Sequence, residues 1–137
     1  MNVATRKIEE WFKEKKLNYE LQEGDEDNND IFIIPCSLEN INSTKIIASI
    51  GDDDIQMLML NIIKVPDNKE MTVIKKLNEL NCKYRWVKLQ MDSGYVSVNV
   101  DATFGNDSLI AIWDNLLCRI TSITDDCYPE IMKVLWI

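Results

Sequence analysis

The sequence predicts an α+β fold, an antiparallel sheet of about five to six strands with helices packed mainly on one face. Three observations predict it. Apolar residues recur at three- and four-residue intervals near both ends and in the middle of the chain, whereas the stretches between them are short alternating or apolar runs closed by turn residues. The blocks follow one another as helix, strands, helix, strands, helices, an order that gathers helices on one side of a sheet. With 137 residues, 46% of them hydrophobic, the chain can bury one continuous core, so a single domain over 1–137 is expected.

Ile8, Trp11 and Phe12, with Ala4, form the apolar stripe of the first helix. Residues 17–21 then alternate as a short strand before the acidic stretch 23–30, which reads as a solvated turn. Residues 31–36 form an apolar strand in which Pro35, lacking an N–H, favours an edge or strand-end position. In the next strand, 44–50, Ile46, Ala48 and Ile50 share a face. Gly51-Asp52-Asp53-Asp54 turns that strand into 55–65, forming an antiparallel hairpin. Pro66-Asp67-Asn68 ends the strand and opens a helix over 69–80, with Val73, Ile74, Leu77 and Leu80 inward and Asn81 as its C-terminal cap.

A second hairpin pairs 84–91 with 95–102 around Asp92-Ser93-Gly94, setting Val87, Leu89 and Met91 against Val96, Val98 and Val100 on the core side. Asp107 or Ser108 caps a helix over 109–120. Asp125 or Asp126 caps a separate final helix over 129–135, where Pro129 suits the first turn.

Charge narrows the partners. A net charge of −8 and a pI near 4.5 oppose binding to nucleic acid or anionic lipid, both of which reward clustered Lys and Arg. Lys13, Lys15 and Lys16 alternate with Glu9, Glu10 and Glu14, the pattern of a solvated helix face. Residues 1–11 hold no apolar run behind a basic segment, and the apolar stretch 55–65 is too short to span a bilayer. A cytoplasmic location with no membrane contact is expected. Cys36, Cys82, Cys118 and Cys127 form no CxxC pair and are expected as small buried hydrophobes.

Composition and spacing leave little room for catalysis. The chain has no histidine, which removes the commonest general base and metal ligand, along with Ser-His and zinc hydrolytic mechanisms. Residues 25–30 imitate the first half of a calcium loop, but Asp30 stands where the turn needs glycine and Cys36 where a bidentate Glu is needed. The glycines never cluster into a phosphate loop. No catalytic residue, metal or cofactor is therefore expected.

What remains is surface. Opposite the core, the second hairpin presents Tyr84, Trp86 and Lys88 beside Tyr95, Ser97 and Asn99. Strand 55–65 is apolar on both faces, with Leu58, Leu60 and Ile62 on one and Ile55, Met57, Met59 and Ile63 on the other. A sheet covered by helices on one side should be polar on its second side. Its apolar residues are therefore either wrapped by the terminal helices or used as an interface. Met57, Met59, Tyr84, Trp86 and Tyr95 are the candidate protein-interface residues.

Val65-Pro66, Leu77-Asn78-Glu79-Leu80-Asn81 and the run from Trp86 through Met91 to Asp92-Ser93-Gly94 resemble the YbjN family of bacterial sensory transduction regulators. The element order matches over most of the chain, while residues 1–40 align little and the acidic loop and Trp136-Ile137 stand apart. The resemblance implies a type III secretion chaperone-like fold in a small, dimeric, non-enzymatic cytosolic protein, with no residue set to carry over. The functional expectation is a protein-binding regulator or chaperone-like adaptor acting as a homodimer. The alternatives are an immunity-type inhibitor meeting a basic toxin through its −8 charge, and a carboxylate or metal-dependent enzyme built on the acidic clusters.

Overall fold

The computed structural model describes residues 1–136, so Ile137 lies outside the described residues. Strand alternation decides the architecture. The chain runs through α1 (Val3–Lys15), β1 (Glu20–Gln22), β2 (Asp30–Cys36), β3 (Thr44–Ile50), β4 (Asp54–Lys64), α2 (Glu70–Lys83), β5 (Lys88–Asp92), β6 (Tyr95–Thr103) and α3 (Leu109–Leu135). The strands make one six-stranded sheet in the order β1-β2-β3-β4-β6-β5, and every neighbouring pair is antiparallel. This is the α+β class that the alternation predicts.

Alternate residues of the four central strands are buried in one apolar cluster with the helices: Phe32 and Ile34, then Ile46, Ala48 and Ile50, then Ile55, Met57 and Met59, then Val96, Val98 and Val100. Phe12 of α1, Phe32 of β2 and Trp113 of α3 close a ring triangle, with centroids 5.2, 5.8 and 5.9 Å apart. Aromatic pairs at this spacing add to the area that they bury, so the triangle clamps α1 and α3 onto the sheet.

Two polar devices hold the helices in place. Asn2 caps α1, its side-chain oxygen accepting the Thr5 N–H at 2.7 Å. Asp30, only 4% exposed, binds the same turn: Oδ2 accepts the Asn2 N–H at 3.0 Å and the Thr5 hydroxyl at 2.7 Å, while Oδ1 accepts the Gly24 N–H at 2.8 Å. One carboxylate thus joins the start of α1, the start of β2 and the acidic loop. Burial pushes its pKa up, but the hydrogen bonds from Thr5, Gly24 and Asn2 outweigh burial, leaving the pKa below the usual 3.8.

The second device sits on α3, which overturns the expectation of two C-terminal helices. The helix is continuous, and Pro129 lies in its interior. Its buried stripe of Trp113, Leu116, Ile120, Ile123, Cys127, Ile131 and Leu135 keeps helical spacing past the proline, so core burial favours continuation. Pro129 has no N–H to offer the carbonyl of Asp125, four residues earlier. Asn40, in the β2–β3 loop, supplies the missing donor from Nδ2 at 3.1 Å, and its own N–H donates to Oδ1 of Asp125 at 2.8 Å. Asp125 therefore holds a loop and caps no helix.

Smaller departures follow local geometry. β1 begins only at Glu20, because Lys16 takes a left-handed turn and Leu17 N–H returns to the Phe12 carbonyl at 3.1 Å. Asn81 lies inside α2, where its side chain brackets β5 by donating to the Leu89 carbonyl at 2.9 Å and accepting the Leu89 N–H at 2.8 Å. Ile74 is 42% exposed and faces outward.

Asp30→Ala strips a charged acceptor from one buried and two half-buried donors and is expected to lower the unfolding free energy by about 2 kcal/mol in urea titrations. Because the folded pKa lies below the unfolded value, Asp30 stabilises fully above pH 3.8 and ceases to do so as pH falls through the lower folded value. The acid limb of the stability profile should therefore flatten in the variant. Asn40→Ala is expected to cost about 1 kcal/mol in the native background and well under that in Pro129→Ala, where residue 129 regains the N–H for Asp125. A double-mutant cycle in urea measures that coupling.

Candidate functional site

The sheet has two unlike faces. On the face away from the helices, Ile33 of β2, Ile47 of β3 and Leu58 of β4 stand in direct register across adjacent strands. The same row continues outward to Glu20 on β1 and to Asn99 and Lys88 on β6 and β5. Ile31, Ile33, Ile47 and Leu58 are half-buried and take no part in the core cluster, and Leu60 beside them is 46% exposed. The neighbouring row runs from Ile31 through Ser49 and Gln56 to Asp101, so the apolar patch gives way to a polar border across β3, β4 and β6. Contiguous apolar surface with a polar rim is the usual composition of a protein contact.

The candidate residues do not form one surface. Met57 and Met59 are fully buried on the helix side, paired across the sheet with Val100 and Val98. Parity puts Leu58 and Leu60 on the open face in their place. The register of β4 shifts between Met59 and Ile63, where Asn61 adopts a φ of +53° and its N–H donates to the Ser97 hydroxyl at 3.0 Å. Tyr95, half-buried, sits opposite Lys64 and Asp92 near the end of the hairpin. Tyr84 and Trp86 precede β5 instead of lying in it, which corrects the expected strand over 84–91. Trp86 is 52% exposed and lies beside α3, with the Arg119 guanidinium 5.4 Å from its ring centre. Ile31, Ile33 and Ile47 were not among the expected residues, although the unbroken Ile31-Phe32-Ile33-Ile34 run signals a strand that is apolar on both faces.

Other polar clusters have structural partners. Asp25 accepts from the Asn28 side chain at 2.8 Å and the Asp27 N–H at 2.9 Å, which hold its pKa below the usual range, and Asp30 is committed to α1. Among the described residues no group of three or more Cys, Asp or Glu is placed to hold a metal ion. Burial pushes the Cys36 thiol up and, with the nearby Asp126 charge, the Cys127 thiol up to about 11. Cys82 and Cys118 are exposed, contrary to the expectation that all four cysteines are buried. Among the described residues no helix is long and apolar enough to cross a membrane.

A six-stranded antiparallel sheet backed by helices on one side and apolar on the other is an α+β architecture like that of type III secretion chaperones, as the resemblance implies. The chain belongs to the YbjN family, described as "Putative bacterial sensory transduction regulator", whose model matches residues 6–130. In structure it is similar to YbjN from E. coli, with a TM-score of 0.59 and 13% identity over 95% of this chain and 96% of that one. It is also similar to a chain of the heterodimeric ExoU-SpcU complex from the type III secretion system of Pseudomonas aeruginosa, with a TM-score of 0.56 and 17% identity over 93% of this chain and 97% of that one. No curated protein matches the chain.

Proposed function

We propose that this chain is a non-enzymatic, protein-binding regulator or adaptor that pairs with a second copy of itself through the open face of its sheet. The observation that carries this reading is the registered row of Ile33, Ile47 and Leu58, three large aliphatic residues left uncovered by the chain's own helices. Two such faces stacked about a two-fold axis would make an isologous contact, with sheets about 10 Å apart and aliphatic side chains interleaved. Tyr95 belongs to the border of that contact, while Met57 and Met59 support it from beneath and Tyr84 and Trp86 belong to a different surface. Similarity in fold to a chain that occurs within a heterodimeric complex supports binding to protein as the activity.

Sedimentation velocity tests the reading. The native chain is expected to sediment as a dimer at micromolar concentration, and Ile47→Glu as a monomer with unchanged far-ultraviolet circular dichroism. A charge buried without a partner in the contact would weaken pairing by at least ~100-fold. A native chain that is monomeric, or an Ile47→Glu variant that remains dimeric, contradicts the proposal.

A further inference from the structure

Trp86 occupies a backbone conformation that few bulky residues adopt. Its φ is +75°, and the Val87 N–H returns to the Arg85 carbonyl at 2.9 Å, closing a three-residue γ-turn of the rare, strained hand. The turn is held on its C-terminal side. Lys88 Nζ donates to the carbonyls of Asn81 and Tyr84 at 2.9 and 3.0 Å, and Asn81 brackets Leu89. Strain of this kind persists where the surroundings enforce it, and it concentrates at binding sites. Here it carries the indole out of the line of β5 and sets it against α3.

On α3 the indole meets Arg119. Arg119 is half-buried as a residue; its guanidinium lies over the ring at 5.4 Å, and its Nε donates to Asn115 Oδ1 at 2.9 Å in an exposed hydrogen bond. Stacking and hydrogen bond together fix the plane of the guanidinium. Among the described residues no carboxylate forms an ion pair with it, although the chain carries 23 Asp and Glu. Beside the pair lies a cleft of about 330 Å³, whose floor includes Ala102, Ile112 and Leu116. An oriented, unpaired arginine on an aromatic face next to an apolar cleft has the chemistry of a carboxylate clamp with a side-chain pocket.

We infer that Trp86 and Arg119 bind a short segment of a partner protein that carries an Asp or Glu beside an aliphatic residue, the carboxylate on Arg119 and the aliphatic side chain over Ala102 and Ile112. The inference rests on the protein-binding reading above and names a second surface for it. The charge of −8 repels an acidic partner as a whole, so the carboxylate belongs to a segment that is otherwise neutral or basic.

The test is a nuclear magnetic resonance titration of the full chain with two blocked peptides, acetyl-Leu-Glu-Leu-amide and acetyl-Leu-Gln-Leu-amide. The Glu peptide is expected to shift the Trp86 indole N–H and the Ala102 and Ile112 methyls, and the Gln peptide to bind about tenfold more weakly. Arg119→Gln should abolish the difference between them. If Arg119→Gln does not fold, the peptide pair on the native chain still decides the matter. Equal binding of both peptides, shifts confined to Ile33, Ile47 and Leu58, or no shift at millimolar peptide overturns the inference. Sedimentation of Ile47→Glu reports on the dimer separately, so a failed clamp beside an intact dimer removes this site alone.

Discussion

One layer of helices must cover a sheet that is apolar on both sides, and the rest of the structure follows from that mismatch. The triangle of Phe12, Phe32 and Trp113 draws α1 and α3 to the same side of β2, and α2 joins them through Val73, Leu77 and Leu80. With the helices committed there, Ile31, Ile33, Ile47 and Leu58 keep a face that no element of the described chain covers. Aliphatic surface in register across three strands is costly to leave in water, at roughly 25 cal/mol per Å² of apolar area. That cost is the driving force available to a partner.

Polar groups place the covering layer more than they strengthen it. Asp30 fixes where α1 begins relative to β2, and a carboxylate receiving three hydrogen bonds tolerates burial because its donors are satisfied with it. Asn40 performs a comparable task for α3, where the carbonyl freed by Pro129 becomes the anchor of the β2–β3 loop. The loop and the long helix thus stabilise each other, and the helix survives a residue that ordinarily ends one.

The fold was legible where period and turn chemistry agreed. The hairpin through Asp92-Ser93-Gly94 announces itself by matched alternation, and Ser93 and Gly94 both adopt the positive φ that such a tight turn demands. Burial of Val73, Leu77 and Leu80 follows directly from their spacing. Reading failed where two signals competed. At Pro129 and Asp125 the local breaker signals outweighed a buried stripe that continues through them, because the compensating donor, Asn40, is 85 residues away in sequence. Parity in β4 marks two apolar faces without marking which one meets the helices, and the structure buries Met57 and Met59 while leaving Leu58 and Leu60 on the open side. Trp86 escaped its expected place because a γ-turn leaves no periodic trace.

Pairing of two copies through the Ile33–Ile47–Leu58 row, as proposed, would bury that row only when the chain dimerises. Paramagnetic relaxation of the isoleucine δ1 methyls by a soluble gadolinium chelate reads that surface directly as protein concentration is raised. Ile47 and Ile33 should be strongly relaxed in dilute solution and become protected as concentration increases, while Ile74 on the outer side of α2 stays accessible throughout. Equal relaxation of Ile47 at every concentration would contradict that pairing.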